Sequence, residues 1–297
     1  METKLLRLLS DSSLSIVELN NKLKQQSLKT LSQIAKINSF YPELIITKNG
    51  RYTLSQKLDW LDQVKLLQLI KDKKLGFKLH LLDQTDSTNS YTLRNITQFE
   101  NKTIISTDWQ NSGRGRFGRS WISKIAQDLT VSILYTFEPD FNISLLPAIC
   151  AVAINRLLKN HSIKNQIKWP NDIYVNKDKV AGVLVENLVR SKQFKTVIGI
   201  GLNNFAAWDR NNLLIELVEN IDNIINEFKL FGFALLRREW LDNCLHLNKQ
   251  VIIKKNDIEI DRGIHKDINE KGELIIATKS GEVNYSTSEI SLIIENF

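Results

Sequence analysis

Leucine and isoleucine recur at helical spacing three times in the first forty residues: Leu5, Leu6 and Leu9, then Ile16, Leu19 and Leu23, then Leu28, Leu31, Ile34 and Ile37. Apolar positions three and four residues apart form one face of a helix, so the pattern predicts helices over 2–9, 15–24 and 27–38. Two β-prone runs then flank Asn49-Gly50, a pair that accepts the positive φ angles of a two-residue hairpin turn. Three short helices and a hairpin predict a winged helix-turn-helix over 1–57, with 27–38 as its recognition helix. A plain helical cap on the next domain is the competing reading. The turn Lys24-Gln25-Gln26-Ser27 lacks the glycine often found between such helices.

A further helical pattern over 59–74 runs into Lys71, Lys73 and Lys74 and stops at Gly76, which predicts a linking helix within 58–77. From 78 to 247, strand-like runs at 78–83, 103–109, 129–137, 180–189 and 195–202 mix with helical patterns at 144–159, 211–230 and 233–246. That mixture predicts an α+β domain with a central mixed sheet covered by helices. After Leu247 the runs shorten to 251–254, 258–261, 274–278, 282–286 and 290–294, separated by turn residues. They predict a small SH3-like β-barrel over 248–297.

At 297 residues the chain fits two or three domains. Its 42% hydrophobic and 25% charged residues exclude a disordered or fibrous chain. A net charge of +7 and a pI near 9.2 suit an anionic partner, though a solvated basic surface explains them as well. The two cysteines, Cys150 and Cys244, lie far apart, so their spacing suggests neither a disulfide framework nor a zinc site. Residues 1–10 lack a signal-peptide core, and no apolar stretch reads as a membrane span. The expectation is a cytoplasmic protein without a membrane partner.

Three glycines and three arginines fall within Gly113-Arg114-Gly115-Arg116-Phe117-Gly118-Arg119. Core packing does not explain them, because glycine weakens regular elements and arginine is seldom buried unpaired. Glycines instead let backbone N–H groups approach an anion, and guanidinium groups supply paired donors. The loop lacks the Lys-Ser/Thr ending of a P-loop, and it is too short and unrepetitive for an RNA-binding arginine-glycine segment. In Lys168-Trp169-Pro170-Asn171-Asp172 the proline forces a sharp turn that projects Lys168, Asn171 and Asp172. Lys179 opens the apolar run Val180-Ala181-Gly182-Val183-Leu184, where Gly182 permits close approach of a ligand or backbone. Gly199-Ile200-Gly201-Leu202-Asn203 closes another strand with groups suited to a purine and ribose, and a plain strand-to-loop turn explains it equally well. Asp86-Ser87-Thr88-Asn89 is either a polar site or a helix N-cap.

Taken in order, these five segments resemble the biotin–protein ligase family, and specifically its bifunctional ligase and biotin-operon repressor branch. The N-terminal helices and the C-terminal strands ending Ser288-Glu289-Ile290-Ser291-Leu292 extend the resemblance over nearly the whole chain. What it implies is a class II synthetase-like catalytic domain. That domain would join biotin and ATP into biotinyl-5′-adenylate and pass the biotinyl group to a lysine of a biotin carboxyl carrier protein. On that resemblance Arg114 and Lys179 meet both carboxylate and α-phosphate, with Lys168 and Asp172 as further catalytic residues. Ser87, Thr88, Asn89, Gln110, Gly113, Gly115, Arg116 and Gly182 complete the biotin pocket. Arg116, Arg119, Trp121, Lys168, Asn171 and Asn203 bind the ATP side, and magnesium accompanies ATP without a nominated ligand. Phe117 stands where some family members carry arginine. The repressor branch also implies operator DNA as a partner, a homodimer when the adenylate is bound, and Lys29, Lys36, Lys48 and Arg51 as DNA contacts.

Two alternatives remain open from the residues alone. One is lipoate ligase or octanoyl transfer, a related acylation of a carrier lysine. The other is a repressor that keeps the adenylate as a signal and has lost transferase activity.

Overall fold

The computed structural model describes residues 2–190, 193–286 and 290–294, and the chain divides into two compact units, Met1–Trp60 and Leu61–Phe297. Ser288 and Glu289, part of the C-terminal resemblance, lie outside the described residues.

The first unit contains α1 (Glu2–Asp11), α2 (Ile16–Leu23), α3 (Ser27–Phe40), β1 (Ile45–Lys48) and β2 (Arg51–Leu54). The predicted apolar faces of α1 and α2 meet in its centre with the second half of that of α3, where Leu5, Leu6, Leu19 and Ile37 are fully buried, whereas Leu28 and Leu31, also predicted to face the core, are exposed at the start of α3. Ser15 starts α2 with a capping box, since its side chain accepts from the Glu18 amide while Glu18 accepts from the Ser15 amide. Asn49 and Gly50 take positive φ angles of 50° and 73°, which turns the hairpin as expected. The turn without glycine is made by Lys24, held in the left-handed region at φ 54° at a cost of roughly 1 kcal/mol. Polar bonds fix it instead: Gln25 Nε2 donates to Thr30 Oγ1 at 2.9 Å and to Gln33 Oε1 at 2.7 Å, and Asn20 Nδ2 donates to Ser27 Oγ at 2.6 Å.

The second unit is built on a mixed sheet. Its elements run α4 (Gln63–Asp72), β3 (Lys78–Thr85), α5 (Thr88–Arg94), β4 (Thr103–Gln110), β5 (Gly113–Arg114), β6 (Ser120–Trp121), β7 (Leu129–Phe137), α6 (Leu146–Asn160), β8 (Gln166–Lys168), β9 (Asp172–Val175), β10 (Asp178–Arg190) and β11 (Gln193–Leu202). Then follow α7 (Arg210–Phe231), α8 (Ala234–Asp242), β12 (Gln250–Lys255), β13 (Ile258–Ile268), β14 (Leu274–Thr278), β15 (Gly281–Tyr285) and β16 (Ser291–Ile294). The large sheet has the order β3-β4-β7-β11-β10-β9-β8, parallel between β3 and β4 and antiparallel elsewhere. Side-chain alternation sorts its two faces: Ile133 and Ile198 join the main core, whereas Leu134 and Val197 pack with Ile96. Helices α6 and α7 pack together on the main core, and α5 packs against β7 and β11.

Several elements differ from the expectation. The predicted linker 58–77 contributes Leu61, Leu66, Ile70 and Phe77 to the core of the second unit, because α4 buries its apolar side against α7. Helix α8 stops at Asp242 rather than 246, since the next residues pair with β8: the Ile167 amide donates to Asn243 O and the Leu245 amide to Ile167 O, both at 2.8 Å. Strand β13 continues to Ile268, well past the predicted end at 261. One segment, Ile143–Asn160, does reach membrane-spanning length and apolarity, contrary to the sequence reading. It holds the buried core helix α6, with Ile149, Cys150 and Ile154 wholly enclosed. The C-terminal strands form a small antiparallel sheet in the order β15-β14-β13-β12-β16, and β15 and β16 are its two ends among the described residues.

Candidate active site

A cavity of about 180 Å³ is lined by the start of α5, the end of β4, the glycine-arginine loop, the Lys168–Asp172 turn, β10, β11 and β16. Its apolar-to-polar wall begins at α5. Ser87 caps that helix by accepting from the Ser90 amide, which sets Thr88 and Asn89 in its first turn, buried. Gln110 Oε1 accepts from the Thr88 amide at 2.9 Å. Ser132 on β7 donates to Asn89 Oδ1 at 2.6 Å and lies 2.8 Å from Thr88 Oγ1, while Asn89 Nδ2 donates to Glu186 at 2.9 Å. A Cβ at Gly199 would fall 2.1 Å from Asn89 Oδ1, so the bare glycine is what admits this side chain.

The loop rises from the short β5–β6 ladder, in which Gly113 pairs with Trp121 and Arg114 with Ser120. A Cβ at Gly113 would come within 2.4 Å of the Trp121 carbonyl, which accounts for glycine there. At the tip Phe117 and Gly118 both have positive φ, 55° and 69°, and the Arg116 guanidinium sits over the Phe117 ring at 4.8 Å. Arg114 reaches back to Glu186 at 2.8 Å. Burial depresses the pKa of Arg116, with Arg119 adding to the effect and Asp172 opposing it.

The Lys168–Asp172 turn closes the other side, with a cis peptide between Trp169 and Pro170. Asp172 Oδ1 pairs with Lys179 Nζ at 2.7 Å. Burial pushes the Lys168 ammonium below the ordinary lysine range, Asp172 opposing this and Lys179 and Arg119 reinforcing it. Trp121 lies under Lys179, whose Nζ is 5.5 Å from its ring centre. That ring rests on Gly201, where a Cβ would fall 2.2 Å from it. Its buried Nε1 has no protein partner among the described residues.

The cavity thus brings together Ser87, Thr88, Asn89, Gln110, Arg114, Gly115, Arg116, Arg119, Trp121, Lys168, Asn171, Asp172, Lys179 and Gly182. Three nominated residues stand differently. Gly113 shapes the loop base and does not line the cavity. Asn171 presents itself to the cavity, but its Nδ2 donates to the Val183 carbonyl, so this amide ties β9 to β10. Asn203 lies outside the lining, with its amide turned to the Lys179 carbonyl at 3.5 Å. Sequence reasoning missed Ser132, Glu186 and the β16 residues Ser291 and Leu292 in the wall. The first two left a faint signal, as Ser132 and the Glu186-Asn187 pair interrupt the otherwise largely apolar runs 129–137 and 180–189.

Among the described residues, five cationic side chains line the cavity, Arg114, Arg116, Arg119, Lys168 and Lys179, against one lining carboxylate, Asp172. An anionic ligand is what such a wall can hold. For magnesium, the carboxylates at the cavity among the described residues are already engaged: Asp172 holds Lys179, and Glu186 holds Arg114 and Asn89.

In the first unit, two of the four nominated DNA contacts are engaged within the fold. Lys36 pairs with Glu2 at 2.7 Å, and Arg51 with Glu18 at 2.8 Å. Lys29 and Lys48 are exposed.

Residues 81–203 match the biotin/lipoate A/B protein ligase family, and residues 246–293 match the biotin protein ligase C terminal domain. The chain is 29% identical over 275 residues to the bifunctional ligase/repressor BirA of Escherichia coli, an alignment covering 82% of this chain and 84% of that protein. It is 25% identical to the biotin–[acetyl-CoA-carboxylase] ligase of Paracoccus denitrificans, over 71% of this chain and 98% of the relative. Among solved structures, the biotin protein ligase of Aquifex aeolicus in complex with biotin and ATP superposes with a TM-score of 0.64 at 26% identity, covering 73% of this chain and 99% of that one. The α+β fold and the matched stretches together define a ligase. With both matched domains present in order, the chain belongs to the biotin protein ligase family.

Proposed function

We propose that the chain condenses biotin with ATP to biotinyl-5′-adenylate and pyrophosphate, then transfers the biotinyl group to a lysine of a biotin carboxyl carrier protein. The observation that carries this is the cation-lined cavity with a polar, buried inner wall, placed inside the matched ligase stretch. The inner wall of Ser87, Thr88, Asn89 and Gln110 offers paired donors and acceptors to the ureido ring in a dry pocket. Arg114 and Lys179 hold the biotin carboxylate against the α-phosphate and stabilise the charge that develops as the carboxylate oxygen attacks phosphorus and pyrophosphate leaves. Lys168, Arg116 and Arg119 face phosphate oxygens, and Trp121 offers an aromatic face and an N–H to the nucleotide. For Arg114 to serve, it must exchange Glu186 for the ligand anion. In the second step the carrier amine attacks the acyl carbon and AMP leaves. Asp172 orients that amine and takes its proton once Lys179 has turned to the phosphate.

The C-terminal match favours biotin over lipoate. Incubation with ATP, a biotin carboxyl carrier domain and either biotin or lipoate tests the reading: mass spectrometry is expected to find the carrier heavier by one biotinyl group and unchanged with lipoate. A carrier modified by lipoate and not by biotin would replace the reading with the lipoate alternative. Adenylate formed without transfer would leave the signalling repressor.

The first unit is the winged helix-turn-helix of this reading and the C-terminal sheet its SH3-like domain, in a cytoplasmic ligase that dimerises when the adenylate is bound. Nine lysines and arginines against five acidic residues in 1–60 suit a polyanion, and the relationship to a ligase/repressor supports operator DNA as the partner. Paired recognition helices require two-fold symmetric half-sites. In a gel-shift series on DNA upstream of the organism's biotin-synthesis genes, binding is expected with biotin and ATP and should weaken steeply with salt. Lys29→Ala and Lys48→Ala are expected to weaken it. Equal, weak binding to all sequences would leave this unit structural.

A further inference from the structure

Three groups outside the cavity lie together behind its turn: Cys244, His246 and His265, with ligand atoms within 4.8 Å of one another. The hydrogen bonds decide what they do. The Trp169 amide, an obligatory donor, points at His246 Nε2 at 3.0 Å, so that nitrogen carries no proton. A neutral His246 then bears its proton on Nδ1. At the other end, His265 Nε2 lies 3.0 Å from the Asp267 carbonyl, which only accepts, so Nε2 carries the proton and Nδ1 is bare. The two Nδ1 atoms are 3.1 Å apart, and the assignments forced from opposite ends meet as one N–H donating to one lone pair. A metal on His246 Nδ1 would move its proton to Nε2, against the Trp169 N–H, so the cluster is a proton-ordered chain and does not suit a metal.

Its location gives it a use. Segment 243–246 runs beside β8 as a parallel neighbour, bridged at Ile167 and Cys244. The ladder is Ile167 N–H to Asn243 O and Leu245 N–H to Ile167 O. The next donor is the Trp169 amide, immediately before Pro170, and a side chain takes it in place of a backbone carbonyl. The Trp169 indole also donates to the Gly272 carbonyl at 3.0 Å, in the turn between β13 and β14. Both bonds of Trp169 therefore end on, or are braced by, the C-terminal sheet.

We propose that His246 is a positioning residue of the active site: it accepts the Trp169 amide, and His265, fixed by the Asp267 carbonyl, holds it in the accepting tautomer, so that the C-terminal sheet sets where Lys168 and Asp172 stand. This rests on the reading of the cavity as the adenylate-forming site. Burial pushes the pKa of both imidazoles down, with His265, Lys168 and Lys249 also opposing a proton on His246, while backbone bonds to Asp267 and His246 and the Asp267 charge favour one on His265. The neutral pair is thus the working form.

The test uses the full chain and two variants, His246→Leu, which has no acceptor, and His246→Gln, whose carbonyl can take the same N–H. Single-turnover adenylate formation is expected to slow by about tenfold to a hundredfold in His246→Leu, with biotin affinity within about twofold of wild type, because the biotin wall is built on other elements. His246→Gln is expected to recover most of the rate. Nitrogen-15 spectra of the wild-type imidazoles should show Nδ1–H on His246 and Nε2–H on His265. An unchanged rate in His246→Leu, equal slowing in both variants, an Nε2–H tautomer on His246, or one zinc or copper per purified chain would overturn the proposal. A wild type that makes no biotinyl-adenylate but shows these tautomers would sink the functional reading and leave the histidine link standing.

Discussion

The turn at Lys168–Asp172 and the loop at Gly113–Arg119 bring cations to the same cavity, but they are held very differently. Trp169 is 3% exposed and Asn171 4%, and each bonds into a neighbouring element through its backbone or side chain. At the loop tip Arg116 is half-buried and Phe117 is 51% exposed, and the backbone bonds at its base are the two-residue ladder, the Gly115 amide to Arg119 O at 2.7 Å and the Arg119 amide to Arg116 O at 3.2 Å. A buried donor left without a partner costs roughly 1–3 kcal/mol, so each bond of the turn resists displacement, whereas the loop loses little by opening. The difference separates a fixed base, which positions charge, from a cover that can admit substrates and then shield a hydrolysable mixed anhydride.

If that division holds, removing a cation from either segment should damage different quantities. Arg114→Ala is expected to have the largest effect. Adenylate formation should fall by roughly a hundredfold or more, as when one charge-stabilising donor is removed elsewhere, and the adenylate should escape faster in a filter-retention assay. Unchanged synthesis and retention would remove Arg114 from the reaction. Lys179→Ala is expected to slow single-turnover adenylation by about a hundredfold while weakening ATP binding much less, since a cation on developing charge acts mainly in the transition state. Equal losses in rate and binding would make Lys179 a mere nucleotide clamp.

Gly201→Ala sharpens the comparison from the strand side. An added Cβ 2.2 Å from the Trp121 ring must shift that ring, so adenylate retention should drop by about tenfold, with biotin binding unchanged. The smallest effect concerns acid. His265 has its pKa lowered from 6.5 to about 4, mainly by burial. Between those values the unfolded chain binds a proton that the folded chain refuses, so stability falls as pH drops through that window. The loss of Tm between about pH 7 and about pH 5 should be smaller in His265→Gln than in wild type, and a parallel loss in both would contradict the neutral pair.

Much of this was legible in the chain. The helices and hairpin of the first unit and five strands of the large sheet were legible from helical spacing and apolar, β-prone runs, although β4 and β7 are buried on both faces and so show no alternation of burial. Strands β8 and β9 were not legible. They are three and four residues long, flank a proline turn and owe their pairing to β10 and to segment 243–246. The glycine and cation motifs announced most of the cavity because they occur together, although several of the glycines, Gly113, Gly199 and Gly201, serve close packing. Asn171 and Asn203 show the limit of that logic, since an amide beside a site serves the backbone as readily as a ligand. Glu186 and the His246–His265 pair were hidden for a related reason: each becomes informative only when the fold reveals the group it meets.

The division between fixed base and moving cover is tested most directly by hydrogen exchange of the intact protein, empty and then with biotin and ATP. The amides of Arg116, Phe117 and Gly118 should exchange rapidly in the empty protein and slow markedly once the adenylate forms, while Trp169, already bonded to His246, and Val183, already bonded to Asn171 O, remain protected throughout. Loop amides that exchange at the same rate in both states, or a turn that becomes protected together with the loop, would contradict the account.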